Sequence, residues 1–540
     1  MPLPREVRMY SYLFRGATVV DGSGVPPRRE DVAVTADRIV AVGARVDGPA
    51  LHCIDADGLV LAPGFIDIHS HSDLTIFRHP GLESKAFQGV TVEVTGNCGI
   101  GAFPVEEGRE RELADYLRLH DMALPADGFS WHDCSEYADR LDRLGPAINV
   151  APLVGHGALR IAAMGMDDRP PSPVELDRMQ DFLANALRQG AWGMSTGLIY
   201  PPGSYAATSE LVALARTLAA AGALYASHIR NEGKALLAAI DEAVTIGRES
   251  GVRVQVSHLK ALGKGKTGRA AEALAIISAA RKAGIDIGAD QYPYNASSTT
   301  LAAVVPPWAQ EGRTSSLVGR LRDLELRPVL LEEIGREMAA REGADGIMVI
   351  GCRSRRNRSL SGQTVASIAG LWNCSPAEAV IRLLVEEEGA VGAIFFSMTA
   401  EDVSDILSDP DVAVGSDGHG LDAAEAAGEA THPRSYGTFP RVLGRAVRDE
   451  NLLTLAAAVR KMTGLPAGRL GFADRGEVRP GYVADLVLFD PAAVGDPATY
   501  ADPHRYATGM VYLFVAGEPV IAQGSLTGVR SGRVLRRRYP

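Results

Sequence analysis

The stretch Gly64-Phe-Ile-Asp-Ile-His-Ser-His ends in two histidines, His69 and His71, directly after an apolar run. Residues two apart point to the same face of a β-strand, so both imidazoles are expected at one spot at the carboxyl end of this strand. Two imidazoles at one spot form half of a site for a divalent metal ion. The stretch therefore predicts a strand that delivers metal ligands.

Four further residues of ligand type follow predicted strands along the chain. They are Cys98 after 91–94, His228 after 224–227, His258 after 252–257, and Asp417 in the Gly415-Ser-Asp-Gly that ends the strand 412–415. A single cysteine or histidine in such a place is more often structural. Repeated placement at strand ends instead predicts one metal centre built from six side chains.

The predicted strands alternate with helical segments, which is the pattern of a parallel sheet covered by helices. The strands are 60–68, 91–94, 148–154, 192–195, 224–227, 252–257, 285–289 and 412–415. Eight such units predict an α/β fold, a (β/α)8 TIM barrel whose active site lies at the carboxyl ends of the strands. We assign residues 63–469 to this barrel domain.

Two other parts of the chain surround the predicted barrel. The gap between strands seven and eight, from about residue 295 to 411, is far longer than one helix and contains apolar runs such as Ile347-Met-Val-Ile. We therefore predict a folded insertion, at about 300–390, over the barrel mouth. Short β-like runs at both ends of the chain, in residues 1–62 and 470–540, predict one small β-sandwich domain built from both termini.

Composition and charge restrict the possible partners. The 540 residues carry a net charge of −11, which argues against a nucleic-acid partner because phosphate contacts need clustered lysine and arginine. The basic run at 530–538 is interpreted as a solvated tail. The five cysteines form no C-x-x-C pair, residues 1–12 lack an apolar signal-peptide core, and no apolar run is long enough to span a membrane. These features predict a cytoplasmic protein without membrane contact and leave its oligomeric state open.

Several motifs resemble those of the amidohydrolase superfamily, and more closely its D-aminoacylase (N-acyl-D-amino-acid deacylase) branch. The resemblance covers nearly the whole chain. The motifs are residues 64–73, residues 95–99, Ser195-Thr-Gly-Leu-Ile-Tyr-Pro-Pro-Gly, Ser227-His-Ile-Arg-Asn-Glu, Ser257-His-Leu-Lys, Tyr292-Pro-Tyr-Asn-Ala-Ser-Ser, Gly415-Ser-Asp-Gly, Thr431-His-Pro-Arg-Ser-Tyr-Gly-Thr-Phe-Pro-Arg and Gly476-Glu-Val-Arg-Pro-Gly-Tyr-Val-Ala-Asp-Leu-Val. The resemblance implies zinc-dependent hydrolysis of N-acyl-D-amino acids, a class of small molecules, to a carboxylate and a free D-amino acid.

The resemblance also implies how the ligands divide between metal ions. Many relatives bridge two metals with a carboxylated lysine after the fourth strand, but this chain has Gly193-Met-Ser-Thr-Gly there and no lysine. Cys98 then takes the bridging role, as the D-aminoacylase branch implies. By this likeness Cys98, His228 and His258 hold one tight zinc ion, and a weaker second site consists of His69, His71 and Asp417.

Asp417 is the predicted catalytic residue. Zinc lowers the pKa of a bound water from about 15.7 towards 7 and polarises the scissile carbonyl. Asp417 takes a proton from that water as general base and returns it to the leaving amine as general acid. A substrate with a free carboxylate also needs cations and donors, and the resemblance places Lys260, Tyr292 and Arg434 at that carboxylate.

Two alternatives stay open at this point. Within the superfamily, the chain could be a cyclic-amide hydrolase of the hydantoinase or dihydroorotase kind, or an isoaspartyl dipeptidase, although the missing lysine argues against the cyclic-amide hydrolases. Outside catalysis, it could be a metal-free scaffold, although the complete ligand set argues against that. The apolar loop 297–308 predicts a neutral or hydrophobic side chain on the substrate.

Overall fold

The structure is a computed structural model that describes residues 9–120, 122–263, 269–341, 343–352, 354–426 and 430–539. Most of the stretch inspected for a signal peptide, residues 1–8, lies outside these ranges. The chain first forms strands of a small sheet: β1 (Tyr10–Val19), β2 (Arg28–Thr35), β3 (Arg38–Gly43), β4 (Ala50–Asp55) and β5 (Val60–Pro63). β1 pairs antiparallel with β2 and parallel with β4 and β5.

The barrel follows, with strands separated by helices. Its elements up to the insertion are β6 (Phe65–Asp67), α1 (Glu83–Ala86), β7 (Val90–Thr95), α2 (Glu110–Leu119), α3 (Cys134–Leu144), β8 (Asn149–Pro152), β9 (Val154–Gly155), α4 (His156–Met164), α5 (Pro173–Arg188), β10 (Gly193–Gly197), α6 (Thr208–Ala220), β11 (Leu224–His228), α7 (Leu236–Ser250), β12 (Arg253–Val256), α8 (Arg269–Lys282) and β13 (Ile287–Gln291). Local sequence explains several helix starts. The side chain of Ser172 caps α5 in a reciprocal pair with Glu175, and Pro173 occupies the first turn.

The insertion is a folded unit between β13 and the last barrel strand. It contains β14 (Ser297–Thr300), α9 (Pro307–Gln310), α10 (Thr314–Arg322), α11 (Arg327–Ala340), β15 (Ile347–Ile350), α12 (Val365–Trp372), α13 (Pro376–Glu386) and β16 (Gly392–Phe395). β16 pairs antiparallel with β14 and with β15. The insertion has a hydrophobic core of its own that includes Leu301, Ile334 and Phe395. This confirms the predicted insertion between barrel strands seven and eight.

The rest of the chain completes the barrel and returns to the small sheet. It contains α14 (Ala400–Ser408), β17 (Val412–Val414), α15 (Arg434–Arg441) with a π-helix at Val442–Asp449, α16 (Leu455–Met462), α17 (Gly464–Leu470), β18 (Leu486–Phe489), β19 (Met510–Val515), β20 (Glu518–Ala522) and β21 (Ser525–Leu526). Across the described ranges, no helix is both long and apolar enough to cross a membrane.

The parallel strands close into a barrel. Hydrogen-bonded neighbours run β6-β7-β8 in one part and β9-β10-β11-β12-β13-β17 in the other. Leu153, between β8 and β9, donates its N–H to Thr95 at the end of β7, and Ser70 pairs with Gly418 just beyond β6 and β17. With β8 and β9 taken as one interrupted strand, the described strands confirm the predicted (β/α)8 TIM barrel.

The first predicted strand, 60–68, is two strands in the structure. β5 pairs with β1 and β18 of the small sheet, whereas β6 starts the barrel next to β7. Gly64 lies between them, and a Cβ at this position would lie 2.2 Å from the Thr91 side chain. The apolar run crosses from one sheet to the other at a residue where the close approach of Thr91 leaves no room for a side chain.

Strands from both ends of the chain form the small sheet, as predicted for the β-sandwich. Its order is β21-β20-β19-β18-β5-β1-β2-β3, with β4 beside β1. It is one continuous sheet, with a core that includes Phe14, Leu486 and Phe514. The assigned domain limits, 1–62 with 470–540 and 63–469, stay a prediction.

The basic carboxyl-terminal run is bound to the barrel, so its interpretation as a solvated tail was wrong. Val534 pairs with Val150 of β8, and Leu535 packs against a core cluster of strand residues. Arg536 forms ion pairs with two aspartates of α3. The positive charge of this segment predicts that it is solvated. It is bound to the barrel because apolar and acidic partners for it lie at the amino ends of the strands.

Candidate metal centre and substrate pocket

The six predicted ligands meet at the carboxyl ends of β6, β7, β11, β12 and β17. Cys98 Sγ lies 3.3 Å from His69 Nε2 and 3.2 Å from His258 Nε2. His71 Nε2 lies 2.9 Å from Asp417 Oδ1. All of these side chains are buried. Polar groups that are far apart in the sequence therefore form one enclosed cluster.

Cys98 belongs to both halves of this cluster. The ligand atoms of each half lie within 4.8 Å of one another, and the halves consist of Cys98 with His69, His71 and Asp417, and of Cys98 with His228 and His258. The rings of His228 and His258 are 4.3 Å apart between centroids. The thiol thus lies where both groups of imidazoles reach it.

Three of the ligands lie just beyond their strands in a left-handed backbone conformation. The φ angles are 54° at Cys98, 35° at His258 and 51° at Asp417, values that residues other than glycine adopt only rarely. β12 ends at Val256, and the turn that follows it contains His258. The Lys260 ammonium reaches the cluster, 2.7 Å from His258 Nδ1 and 2.5 Å from Glu232 Oε1.

Close backbone packing positions the Cys98 loop against β10. The Ser195 hydroxyl donates to the Gly96 carbonyl and accepts a hydrogen bond from the Gly99 N–H, the latter at 2.9 Å. A Cβ on Gly197 would lie 2.1 Å from the Cys98 carbonyl oxygen. The segment without a lysine therefore contributes small residues that let the cysteine loop approach the fourth strand.

Two buried carboxylates that the sequence analysis did not assign support the imidazoles. Asp290 Oδ1 lies 3.2 Å from His69 Nδ1 and accepts a hydrogen bond from the His258 N–H at 2.8 Å. Glu232 Oε1 lies 3.3 Å from His258 Nδ1. Such carboxylates fix which ring nitrogen faces a metal ion. Their signals in the sequence are an acidic residue near the end of the seventh strand and the glutamate of His228-Ile-Arg-Asn-Glu.

Burial and neighbouring charges set the protonation of the cluster. Burial alone would raise the pKa of Asp417, but Arg434 and the nearby histidines hold that pKa well below its usual range. Burial lowers the pKa values of His228 and His258 and takes that of His71 to about 3. Near neutral pH these imidazoles are neutral and the carboxylate is ionised, which are the protonation states that metal ligands need.

The donor set fits a zinc ion. Both ring nitrogens of His228 are buried without a hydrogen-bond partner among the described residues, and leaving such groups unpaired is costly. Burial raises the pKa of the Cys98 thiol, and a coordinated cation is what deprotonates such a thiol. Thiolates and imidazoles are both ligands that zinc prefers, and three protein ligands leave the fourth position of a tetrahedral zinc site open.

The three predicted substrate-binding residues lie beside these ligands. Arg434 Nη1 forms an ion pair with Asp417 Oδ2 at 2.7 Å, and Arg434 Cζ lies 4.9 Å from the centre of the Tyr292 ring. Lys260 Nζ lies 5.7 Å from the same ring centre. The Tyr292 hydroxyl is buried, and no described residue is its hydrogen-bond partner. The structure therefore brings all nine predicted site residues into one region.

These side chains open onto one pocket beneath the insertion. Its outer wall is mixed: Ile100, Leu119, Ile199, Ile350 and Val391 are apolar, whereas Arg118 and the hydroxyl residues 297–300 are polar. Arg341, just after α11, also lines the pocket, and its Cζ lies 5.5 Å from the centre of the Phe395 ring. No carboxylate in the described residues pairs with Arg341.

Comparison with known proteins agrees with this architecture. Residues 52–521 match the Amidohydrolase family. The chain is 40% identical to N-acyl-D-glutamate deacylase of Alcaligenes xylosoxydans xylosoxydans, over 97% of this chain and 96% of that protein. It is 38% identical to D-aminoacylase of the same organism, over 98% of each chain.

A solved structure gives the same result. The crystal structure of N-acyl-D-glutamate deacylase from Bordetella bronchiseptica, complexed with zinc and a phosphonate mimic of the tetrahedral intermediate, matches with a TM-score of 0.83. The match has 38% identity and covers 98% of this chain and 100% of the other. From the family match over most of its length, and from full-length relatives at about 40% identity, it follows that the chain belongs to the amidohydrolase family.

Proposed function

We propose that the protein hydrolyses the amide bond of N-acyl-D-amino acids to a carboxylate and a free D-amino acid. The observation that carries this proposal is the Cys98-centred ligand cluster lying in one pocket with Lys260 and Arg434. A metal cluster suits an amide carbonyl, and the two cations suit a substrate carboxylate. The relatives named N-acyl-D-glutamate deacylase and D-aminoacylase support the same activity.

The proposal includes one tightly bound zinc ion. Cys98, His228 and His258 would hold it, and His69, His71 and Asp417 would form a weaker second site. When bound, zinc would supply a nucleophilic water at neutral pH and polarise the scissile carbonyl. The zinc in the related deacylase structure supports this choice of metal.

Asp417 is the proposed catalytic residue. Its Oδ1 faces His71 and its Oδ2 faces Arg434, so the carboxylate is held ionised at the edge of the cluster. As the water oxygen bonds to the amide carbon, Asp417 accepts the water proton. As the carbon–nitrogen bond breaks, Asp417 gives that proton to the departing nitrogen and is ionised again.

Arg434, Lys260 and Tyr292 form the proposed site for the substrate carboxylate. Arg434 offers a planar pair of N–H donors, Lys260 a point charge, and Tyr292 a buried hydroxyl that can donate. Both cations already contact protein carboxylates, Asp417 and Glu232. In the free protein the charges of Arg434 and Lys260 are thus balanced, and a bound substrate carboxylate would accept further hydrogen bonds from them.

The two alternatives have less support. A hydantoin ring has no carboxylate for Arg434 and Lys260 to bind, and the lysine that bridges two metals in many relatives is absent from Gly193-Met-Ser-Thr-Gly. A metal-free scaffold would leave the His228 nitrogens buried without a partner. Both readings conflict with a feature that deacylation explains.

A substrate panel tests the proposal. The purified zinc-loaded protein is assayed with N-acetyl-D-leucine, N-acetyl-L-leucine, a hydantoin and a β-aspartyl dipeptide. We expect turnover of the D-substrate, with Asp417→Asn lowering kcat at least about a hundredfold because general acid–base catalysis contributes about 10²–10⁴. Hydrolysis of only the cyclic amide or the dipeptide would overturn the proposal, and an Asp417→Asn protein with full activity would remove Asp417 from it.

A further inference from the structure

A fully buried lysine lies next to the metal cluster without contacting any of the proposed ligand side chains. Lys85, in α1, has no exposed surface. Its ammonium donates to Asp67 Oδ2 at 2.6 Å, to Ser416 Oγ at 2.6 Å and to the Gly418 carbonyl at 3.2 Å. An ammonium has three N–H donors, so these three acceptors satisfy it completely.

Asp67 connects Lys85 to the backbone of two segments: the one after β6, which carries His69 and His71, and the one after β17, which carries Asp417. Its Oδ1 accepts hydrogen bonds from the His69 N–H at 3.3 Å and from the Ser416 N–H at 2.8 Å. Its Oδ2 accepts the Ser416 hydroxyl at 2.5 Å as well as the Lys85 ammonium. One carboxylate thus holds the chain on both sides of the junction between β6 and β17.

The segment that carries Asp417 is tied down at each neighbouring residue. The Asp417 N–H donates to the His69 carbonyl at 2.8 Å, and the His71 N–H donates to the Gly418 carbonyl at 3.0 Å. The Gly418 N–H donates to Ser416 Oγ at 3.0 Å. Because Asp417 itself has a left-handed backbone, which is unfavourable for aspartate without support, these bonds decide where its carboxylate points.

We propose that Lys85, acting through Asp67 and Ser416, is a positioning residue that holds Asp417 in register with His69 and His71. The kinetic test of this inference rests on the proposed function. The structural test depends only on the hydrogen bonds. Lys85 touches neither substrate nor the reacting atoms. It holds together the segments after β6 and after β17. The proton transfers by Asp417 require these two segments to be aligned.

A competing explanation is that the ion pair only stabilises the fold. Removing one member of a buried pair leaves an uncompensated charge and is strongly destabilising, whereas replacing both by neutral groups is often tolerated. The double change Lys85→Met with Asp67→Asn therefore separates the two explanations. It removes one positive and one negative charge together and also removes the bonds from the ammonium to Ser416 and Gly418. Glu93, whose Oε2 lies 3.9 Å from the ammonium, keeps its hydrogen bonds from Ser70 and Ser72.

The first test compares Lys85→Met, the double variant and the parent in kcat, KM and chemical denaturation. We expect Lys85→Met to lower both stability and kcat. The double variant is expected to recover most of the lost stability while kcat stays at least about tenfold below the parent at similar KM, since misplacement by about 1 Å costs up to about a hundredfold. Recovery of kcat together with stability would overturn the proposal, and so would an unchanged kcat in Lys85→Met.

Ser416→Ala provides a smaller change in case the ion-pair variants fail to fold. It removes one hydroxyl between Lys85 and Asp67 and leaves both charges in place. Hydrogen–deuterium exchange of residues 412–420, measured by mass spectrometry, reports the backbone bonds directly and does not depend on any substrate. We expect at least about tenfold faster exchange of this segment in Ser416→Ala, and parental exchange would overturn the proposal even if no N-acyl-D-amino acid is hydrolysed.

The matched control is a buried ion pair in the segment that leads into β18 of the small sheet. Arg475 pairs with Asp485, and both are largely buried. Arg475→Met is expected to lower stability without changing kcat or the exchange of residues 412–420. Equal loss of kcat in this control and in Lys85→Met would mean that kcat only follows overall stability, which also overturns the proposal.

Discussion

At the level of single residues, the Cys98 thiol is shared by both halves of the metal cluster. Loss of the groups that merely support a ligand lowers metal affinity about 10- to 100-fold, so loss of the thiol itself is expected to cost more. We predict that Cys98→Ser lowers zinc affinity by more than about a hundredfold, as measured by zinc content after dialysis against graded chelator. Cys134→Ser is the control, because Cys134 is equally buried but lies in α3. Equal zinc retention in both variants would contradict the shared role of Cys98.

Lys461 gives a prediction about pH. Burial lowers its pKa to about 8, and its ammonium donates to the Asp409 carbonyl. In the unfolded chain a lysine keeps its proton up to about pH 10.5, so between pH 8 and 10.5 the unfolded state binds more protons. The contribution of Lys461 to stability is therefore present above about pH 10.5 and is lost as pH falls through 8.

The variant Lys461→Met removes this titration. Between pH 8 and pH 10.5 the free energy of unfolding of the parent is expected to rise by about 3 kcal/mol more than that of the variant, at about 1.36 kcal/mol per pKa unit. Urea denaturation at both pH values measures the difference. Curves for parent and variant that stay parallel across this window would show that Lys461 titrates normally.

Residues at strand ends were predictable, while the residues behind them were not. His69 and His71 show a spacing of two, and Cys98, His258 and Asp417 follow apolar runs, so local pattern alone marks them. Asp290 also follows a predicted strand, 285–289, but Lys85 lies in α1 without such a signal. The roles of both residues depend on which strands meet in space. The sequence carries no local record of those meetings.

At the level of elements, β10 and the Cys98 loop pack closely because Gly197 has no side chain between them. Gly197→Ala would place a Cβ 2.1 Å from the Cys98 carbonyl oxygen, and overpacking of this kind costs about 1–3 kcal/mol. We expect lower stability and weaker zinc binding, measured by denaturation and by zinc titration. Gly319→Ala, in α10 with open space around the new Cβ, is expected to be neutral or slightly stabilising. Equal zinc affinity in both variants would contradict this packing argument.

The lining of the pocket predicts the preferred substrate side chain. The apolar part of the wall, which includes Ile199, Ile350 and Val391, offers an acidic side chain no partner, so such a side chain placed against it would lose its hydration. We expect kcat/KM for N-acetyl-D-leucine to exceed that for N-acetyl-D-glutamate by at least about tenfold, which corresponds to about 1.4 kcal/mol. Arg341→Met tests the opposite possibility, because Arg341 has no carboxylate partner in the described part of the chain. A preference for the glutamate substrate that Arg341→Met abolishes would contradict the expectation.

Most elements could be predicted because their apolar runs have the right length and period. The boundaries of the elements are harder to predict than the elements themselves. The run 60–68 is apolar except for Asp67, and its Pro63-Gly64 pair is the local signal of the break at which the chain leaves the small sheet for the barrel. The turn at His258 depends on a neighbouring element, because the His258 N–H donates a hydrogen bond to Asp290, which comes from the next strand.

At the level of the whole molecule, the barrel has a catalytic mouth at one end and a bound carboxyl-terminal segment at the other. The Arg537 N–H donates to the Gly190 carbonyl just before β10, and the Gly532 N–H donates to Pro146 before β8. Charge along 530–538 predicts solvation, but the acidic and apolar partners come from distant parts of the chain. Tertiary contacts can therefore bind a charged segment that its local sequence predicts to be solvated.

This arrangement predicts that the tail supports stability and leaves chemistry unchanged. Val534 is buried and Leu535 packs against a core cluster that includes Val94 and Ala151. Burying a side chain of this kind stabilises a protein by about 1.5–3 kcal/mol. We expect Leu535→Asp to lower the free energy of unfolding by at least about 3 kcal/mol, because it also leaves a carboxylate in an apolar contact.

The same variant should keep the kcat of the parent at a temperature where both are folded, because the ligand cluster lies at the opposite ends of the strands. Val529→Asp is the control, since Val529 is 36% exposed and a charge there remains in water. Denaturant midpoints and kcat are measured on all three proteins. Equal midpoints for Leu535→Asp and Val529→Asp would show that the tail contributes no binding energy, whereas a fall in kcat without a fall in zinc content would show that the two ends of the barrel are coupled.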